Sequence, residues 1–99
     1  MRRSRRPEDE RSGLYRQVSL PTEVHLRRMR VRAALDKLER YLDDATVAGM
    51  LRVRVIHGKG TGTLKGAVLE YLSGHPLVSR HYAAAPGEGN GGVTIVELQ

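Results

Sequence analysis

Residues 53–64 read Val53-Arg54-Val55-Ile56-His57-Gly58-Lys59-Gly60-Thr61-Gly62-Thr63-Leu64. A β-branched run ends in a histidine, three glycines follow at alternate positions, and an amphipathic helical pattern then begins, which predicts strand, tight turn and helix. Glycine takes positive φ without strain and lets a ligand come close to the backbone. The first N–H groups of the following helix have no partner inside it and point outward. Together these features suit an anion, although the same glycines would also serve a merely sharp connection. His57 and Lys59 favour the anion, because they put a titratable imidazole and a fixed cation at the mouth of the turn.

Two better-known phosphate loops do not fit. The P-loop needs Ser or Thr directly after Gly-Lys, and Lys59 is followed by Gly60. The dinucleotide fingerprint needs a further glycine three positions after its second, where this chain has Lys65 or Thr63 according to the pair chosen. Neither ATP nor NAD is the expected ligand, and a small-anion or nucleotide sensor is correspondingly disfavoured.

Working outward from the loop, Arg52–Ile56 is the second strand of the chain. Before it, Val31, Ala34, Leu35, Leu38, Leu42 and Ala45 recur at helical spacing within residues 30–48, and Gly49 stops that helix. Earlier still, alternation over Glu23–Arg27 predicts a short first strand. After the loop, Leu64, Ala67, Val68, Tyr71 and Leu72 form a second helical stripe, with Thr63 or Thr61 as N-cap and Gly74-His75-Pro76 as terminator. Tyr71 fits the core better than a stacking platform. A third strand over residues 77–83 alternates poorly, residues 84–92 form a glycine-rich loop, and Val93–Leu98 is a β-branched fourth strand.

The order βαβαββ implies a right-handed parallel crossover, helices packed on a mixed four-stranded sheet, and a last strand that pairs antiparallel. In such a sheet the carboxyl ends of the parallel strands share one edge with the amino ends of the following helices. Arg27, Arg28 and Arg30 should therefore meet His57, Lys59 and the glycine loop. The first helix also carries arginines at its start and Asp43 and Asp44 near its end. Both are the wrong sign for its dipole, at about 0.3 to 1 kcal/mol each when unscreened. Rules broken together in this way mark a functional surface.

The chain has 99 residues and no cysteine, so one thin-cored domain is expected, with neither a disulfide frame nor a thiolate zinc site. The net charge is +6, of which residues 1–13 contribute +2 through five arginines against three acids. Such a balance points to a polyanionic partner. With four Tyr and no Trp or Phe, contact with backbone phosphate is more natural than base stacking. Residues 1–18 are charged and poor in large apolar groups, which predicts a flexible basic arm or solvated linker ahead of a domain over residues 19–99. No apolar run is long enough for a membrane span or a signal peptide, so a soluble, cytoplasmic chain without a membrane partner is expected.

The pieces Leu26-Arg27, Met29-Arg30-Val31, Ile56-His57-Gly58-Lys59-Gly60-Thr61-Gly62, His75-Pro76-Leu77-Val78, Pro86-Gly87-Glu88-Gly89 and Gly92-Val93-Thr94-Ile95-Val96-Glu97-Leu98 carry a resemblance. Residues 23–98 resemble the small MutS-related (Smr) domain, especially the version at the carboxyl terminus of the second bacterial MutS paralogue. The resemblance implies an α/β two-layer sandwich similar to the carboxyl-terminal domain of translation initiation factor three. It also implies binding to DNA or RNA and, in several branches, endonuclease activity. Some members nick DNA and suppress homologous recombination, a role tied to DNA repair. Others cleave mRNA or act in rescue at stalled ribosomes. The full paralogue adds an ATPase region, so this chain is either an excised domain or a stand-alone relative. One departure stands out: the family's first motif usually reads leucine, aspartate, leucine, arginine or histidine, glycine. Here His25 replaces the aspartate implicated in catalysis, and Arg28 replaces the glycine.

Phosphodiester cleavage needs a base for the nucleophile, charge stabilisation on the phosphoryl oxygens and an acid for the leaving oxygen. His57 is the expected acid or base, Arg27 neutralises charge, and His25 is either a second imidazole or a surface strand residue. Gly58, Lys59, Gly60, Thr61 and Gly62, with Arg28 and Arg30, form the expected phosphate-binding set. No cofactor is expected and zinc is disfavoured; a divalent metal is left open. Glu88 and Glu97 read as a solvated loop residue and a strand end. The competing function class is a non-catalytic module that docks a parent protein on DNA or on the ribosome.

Overall fold

The structure is a computed structural model that describes residues 20–99; the arm expected over residues 1–18 lies outside the described residues. The chain runs β1 (Glu23–His25), α1 (Val31–Val47), β2 (Arg52–Ile56), α2 (Thr63–Ser73), β3 (Val78–Ala83) and β4 (Val93–Leu98). The sheet order is β1-β2-β4-β3. β1 lies parallel to β2, while β4 runs antiparallel to both β2 and β3. The expected mixed four-stranded α/β architecture is the observed one.

Register explains the layering. Val24 faces Val55 and Val53 faces Val96, so one face of the sheet is apolar and is buried with Leu38, Leu42, Val68 and Leu72 of the helices. Burying a side chain of this size contributes about 1.5 to 3 kcal/mol. The opposite face carries Glu23, Arg54, Arg52 and Glu97, paired across strands. No helix among the described residues is long and apolar enough to cross a membrane.

Several local expectations shift. The regular β1 ladder ends at His25, two residues early, although Leu26 still donates its N–H to Ile56 O at 2.8 Å. Tyr41 joins the buried stripe of α1, while Val31 and Leu35 are only half-buried. Its hydroxyl donates to Pro21 O at 2.6 Å. Burial, and secondarily Glu23, push that phenol up to about 12. Gly49 closes α1 with the paired bonds Gly49 N to Thr46 O (3.0 Å) and Met50 N to Ala45 O (3.0 Å), as in a Schellman turn. At α2 the N-cap is Gly62, not a threonine; its φ of 90° is a conformation a threonine would adopt only with strain. Thr61 acts one residue earlier, its Oγ1 accepting from Thr63 N at 3.4 Å. β3 starts at Val78, and a register shift between Val78 and Arg80 accounts for its poor alternation.

Candidate functional site

The turn after β1 and the loop after β2 face each other at one edge of the sheet, as the parallel pairing requires. Between them lies a cavity of about 490 Å³ lined by Arg27–Val31 and His57–Leu64. Among the described residues its lining holds Arg27, Arg28, Arg30 and Lys59 and no carboxylate. None of these four cations is ion-paired with a carboxylate among the described residues. Both helices begin on this cavity, at Arg30–Val31 and Thr63–Leu64, and neither has an acidic residue in its first turn. The first backbone bond of α2 runs from Gly66 N to Gly62 O at 2.8 Å. The amides of Leu64 and Lys65 precede it and have no partner within the helix. Helix dipoles, free amides and side-chain cations therefore share one sign.

Gly58 couples the two walls. Its φ is 77°, and a Cβ there would meet Arg27 Cγ at 2.9 Å, so the arginine stem lies directly on the glycine backbone. The turn after β1 is closed by Met29 N donating to Leu26 O at 3.2 Å. Within it Arg28 holds φ 66°, a left-handed conformation that costs an L-residue about 1 to 2 kcal/mol. The exposed Arg28 guanidinium is thus offered to the cavity from a backbone shape that glycine would hold without strain.

His57 does not stand at the mouth of the loop as expected. Strand alternation carries one residue past Ile56, so the imidazole turns toward the core face and is 3% exposed, at the back of the cavity. Its Nδ1 lies 2.8 Å from Gly58 O and its Nε2 lies 2.8 Å from Thr94 Oγ1. A carbonyl can only accept, so Nδ1 carries the proton and Nε2 accepts from the Thr94 hydroxyl. Burial lowers the affinity of the ring for a second proton; the bond to Gly58 O opposes this and Lys65 adds to it. The imidazole is neutral and holds the first glycine of the loop in place.

His25 is not brought to this site. It pairs with Ile56 on the sheet face opposite His57, is exposed, and sits 3.0 Å from Glu23 Oε2. Glu88 approaches Arg54 at 3.8 Å, and Glu97 pairs with Arg80 at 2.8 Å, so neither carboxylate reaches the cavity. No group of three or more His, Cys, Asp or Glu side chains that could hold a metal ion occurs among the described residues. Two participants escaped the sequence reading. Thr94 is the lone polar residue in the inward series Thr94, Val96, Leu98 of β4, which was a legible signal. The Gly92 carbonyl, which accepts from His57 N (3.1 Å) and Gly58 N (2.9 Å), had no such signal.

Fold and cavity together define a small α/β domain organised around a basic, glycine-walled cavity. The family described as Smr domain matches residues 24–99, and the chain belongs to that family. The solved Smr domain of Thermus thermophilus MutS2 is 40% identical with a TM-score of 0.77, over 80% of this chain and 99% of that one. YdaL, a stand-alone small MutS-related protein from Escherichia coli, shares the fold with a TM-score of 0.74 at 24% identity, over 96% of this chain and 80% of that one. Endonuclease MutS2 of Thermomicrobium roseum is 54% identical over 77 residues, which are 78% of this chain and 10% of that protein. The chain thus spans about a tenth of the length of the curated relatives it matches.

Proposed function

We propose that the protein binds the sugar-phosphate backbone of DNA or RNA in the basic cavity and cuts it there as an endonuclease. One observation carries the reading: three arginines and a lysine converge with two helix N-termini around a cavity whose lining, among the described residues, holds no carboxylate. Arg27 and Lys59 neutralise the phosphoryl oxygens, and the amides of the loop from Gly58 to Gly62 and of the first turn of α2 hold them. Once released from Thr94, His57 Nε2 takes the proton of the attacking hydroxyl or water and returns it to the leaving oxygen; until then the ring positions the loop. On RNA the 2′-OH supplies the nucleophile, whereas DNA requires an activated water. The naming of the Thermomicrobium relative as an endonuclease supports cleavage. Nicking of DNA in recombination or repair is the finer role the resemblance suggests.

A second reading is a binding module that docks a longer protein on DNA or on ribosomal RNA. It is favoured by the engagement of both His57 ring nitrogens inside the protein. Supercoiled plasmid and structured RNA, each with and without chelator, separate the two. Binding should weaken steeply with salt, by about 0.9 in log–log slope per phosphate contact on duplex DNA. His57→Asn keeps a donor for Gly58 O and should slow cleavage by about 10² to 10⁴. Tight binding without cleavage by the wild type establishes the second reading. Binding indifferent to salt overturns both.

A further inference from the structure

Arg27, Gly58 and Lys59 border a second cavity, of about 330 Å³, on the other side of the sheet edge. Its floor is Ile56 and Val93, which face each other in register on the sheet surface turned away from the helices. Its outer wall is the β3–β4 loop, which the Gly92 carbonyl ties to His57 N and Gly58 N, with Gly92 packed so closely that a Cβ would meet Gly58 Cα at 3.0 Å. At the rim stands Asn90, exposed, with φ 51° and no side-chain hydrogen bond among the described residues. The two cavities adjoin as two lobes that share Arg27, Gly58 and Lys59 in their lining. The lobes differ in chemistry. Beyond the shared cations, the second offers an apolar floor and one neutral amide, which suit a sugar and base edge and give nothing further to an inorganic anion.

Resting on the backbone-binding reading above, we infer that the second lobe is a nucleoside subsite. A single polynucleotide strand passes over these shared residues, with a phosphate in the first lobe and the adjoining nucleoside on Ile56 and Val93. The Asn90 amide donates to or accepts from that nucleoside. Asn90 keeps its left-handed backbone for this purpose, in a loop tip where Asn is among the few side chains that tolerate it.

The test uses the full chain, inorganic pyrophosphate, and 5′-phosphorylated thymidine and uridine dinucleotides at low salt. Asn90→Gly retains the positive-φ turn and removes the amide. The preference for dinucleotide over pyrophosphate should fall about five- to tenfold in this variant, the size of one net hydrogen bond. Amide NMR on the wild type should show residues 89–93 and the Asn90 side chain shifting with a dinucleotide and not with pyrophosphate. A loss confined to the uridine probe assigns the contact to the ribose 2′-OH, and an equal loss for both assigns it to the base or the common sugar atoms. An unchanged preference in Asn90→Gly, with shifts limited to residues 58–64, overturns the subsite and leaves the phosphate site standing. Failure of the wild type to bind any of the three probes overturns both.

Discussion

Two imidazoles, at opposite ends of the domain, are buried and fully hydrogen-bonded, yet their surroundings have opposite character. His57, after β2, bonds two neutral partners, Gly58 O and Thr94 Oγ1, at the back of a cavity whose charged lining residues, among those described, are all cations. His75, after α2, accepts from Leu77 N at 3.1 Å and donates Nε2–H to Glu39 Oε1 at 2.9 Å. Tyr71 donates to the same carboxylate oxygen and packs edge-on against the ring. A cavity of about 560 Å³ opens there too, but Glu39 and Asp43 line it. The His75 end is closed on itself: its polar groups meet each other, and an anion would meet carboxylates. At the His57 end the imidazole is satisfied, and among the described residues the cations and helix amides are left without carboxylate partners. Burying a polar residue is thus not what distinguishes a site; the uncompensated charge around it is.

The sharpest way to break the comparison is to exchange charge at each end. Arg27→Ala, Arg28→Gly and Arg30→Ala combined should flatten the log–log salt dependence of duplex DNA binding by about 2.7, three contacts at about 0.9 each. Asp43→Asn with Asp44→Asn raises the net charge by two at the far end and should leave the slope as it was. Equal changes in slope from the two variants would mean that net charge, not the cavity, drives binding.

A smaller effect with an informative sign is expected from Arg28→Gly alone. Removing a left-handed arginine relieves about 1 to 2 kcal/mol, while glycine costs about 0.5 to 1 kcal/mol in unfolded-chain entropy. The variant should be more stable in urea, by up to about 1.5 kcal/mol, and bind nucleic acid more weakly. If it is both less stable and unchanged in binding, the strain at Arg28 has no functional purpose.

The smallest effect lies in pH. Burial holds folded His57 below its ordinary value of 6.5, so the unfolded chain takes up the proton first. The stability this ring contributes is complete above about pH 6.5 and is lost as pH falls from there through the depressed folded value. Urea midpoints should therefore drop more between pH 7.5 and pH 5 for the wild type than for His57→Asn. His25, His75 and His81 are common to both proteins, so the difference belongs to His57, and identical slopes would refute its burial as a neutral ring.

The element order, the strand–glycine loop–helix unit and the meeting of Arg27–Arg30 with residues 57–64 were determined by the sequence itself. Periods of two and 3.6, helix stops such as Gly49 and the handedness of a parallel crossover are local or nearly local properties. The outward face of His25 was also available from its alternation with Val24. Tertiary structure decided the rest. The parity of Val53 and Val55 continues into His57, but only pairing with β4 carries the strand geometry past Ile56, and the hydroxyl that donates to the ring lies 37 residues away. The left-handed shape of Arg28 was hinted at only by the glycine it replaces in the family's motif, and the turn closed by Met29 N on Leu26 O shows it. The second lobe depends on a carbonyl, at Gly92, and a backbone group has the same identity in every residue; only its place in the folded chain gives it a function.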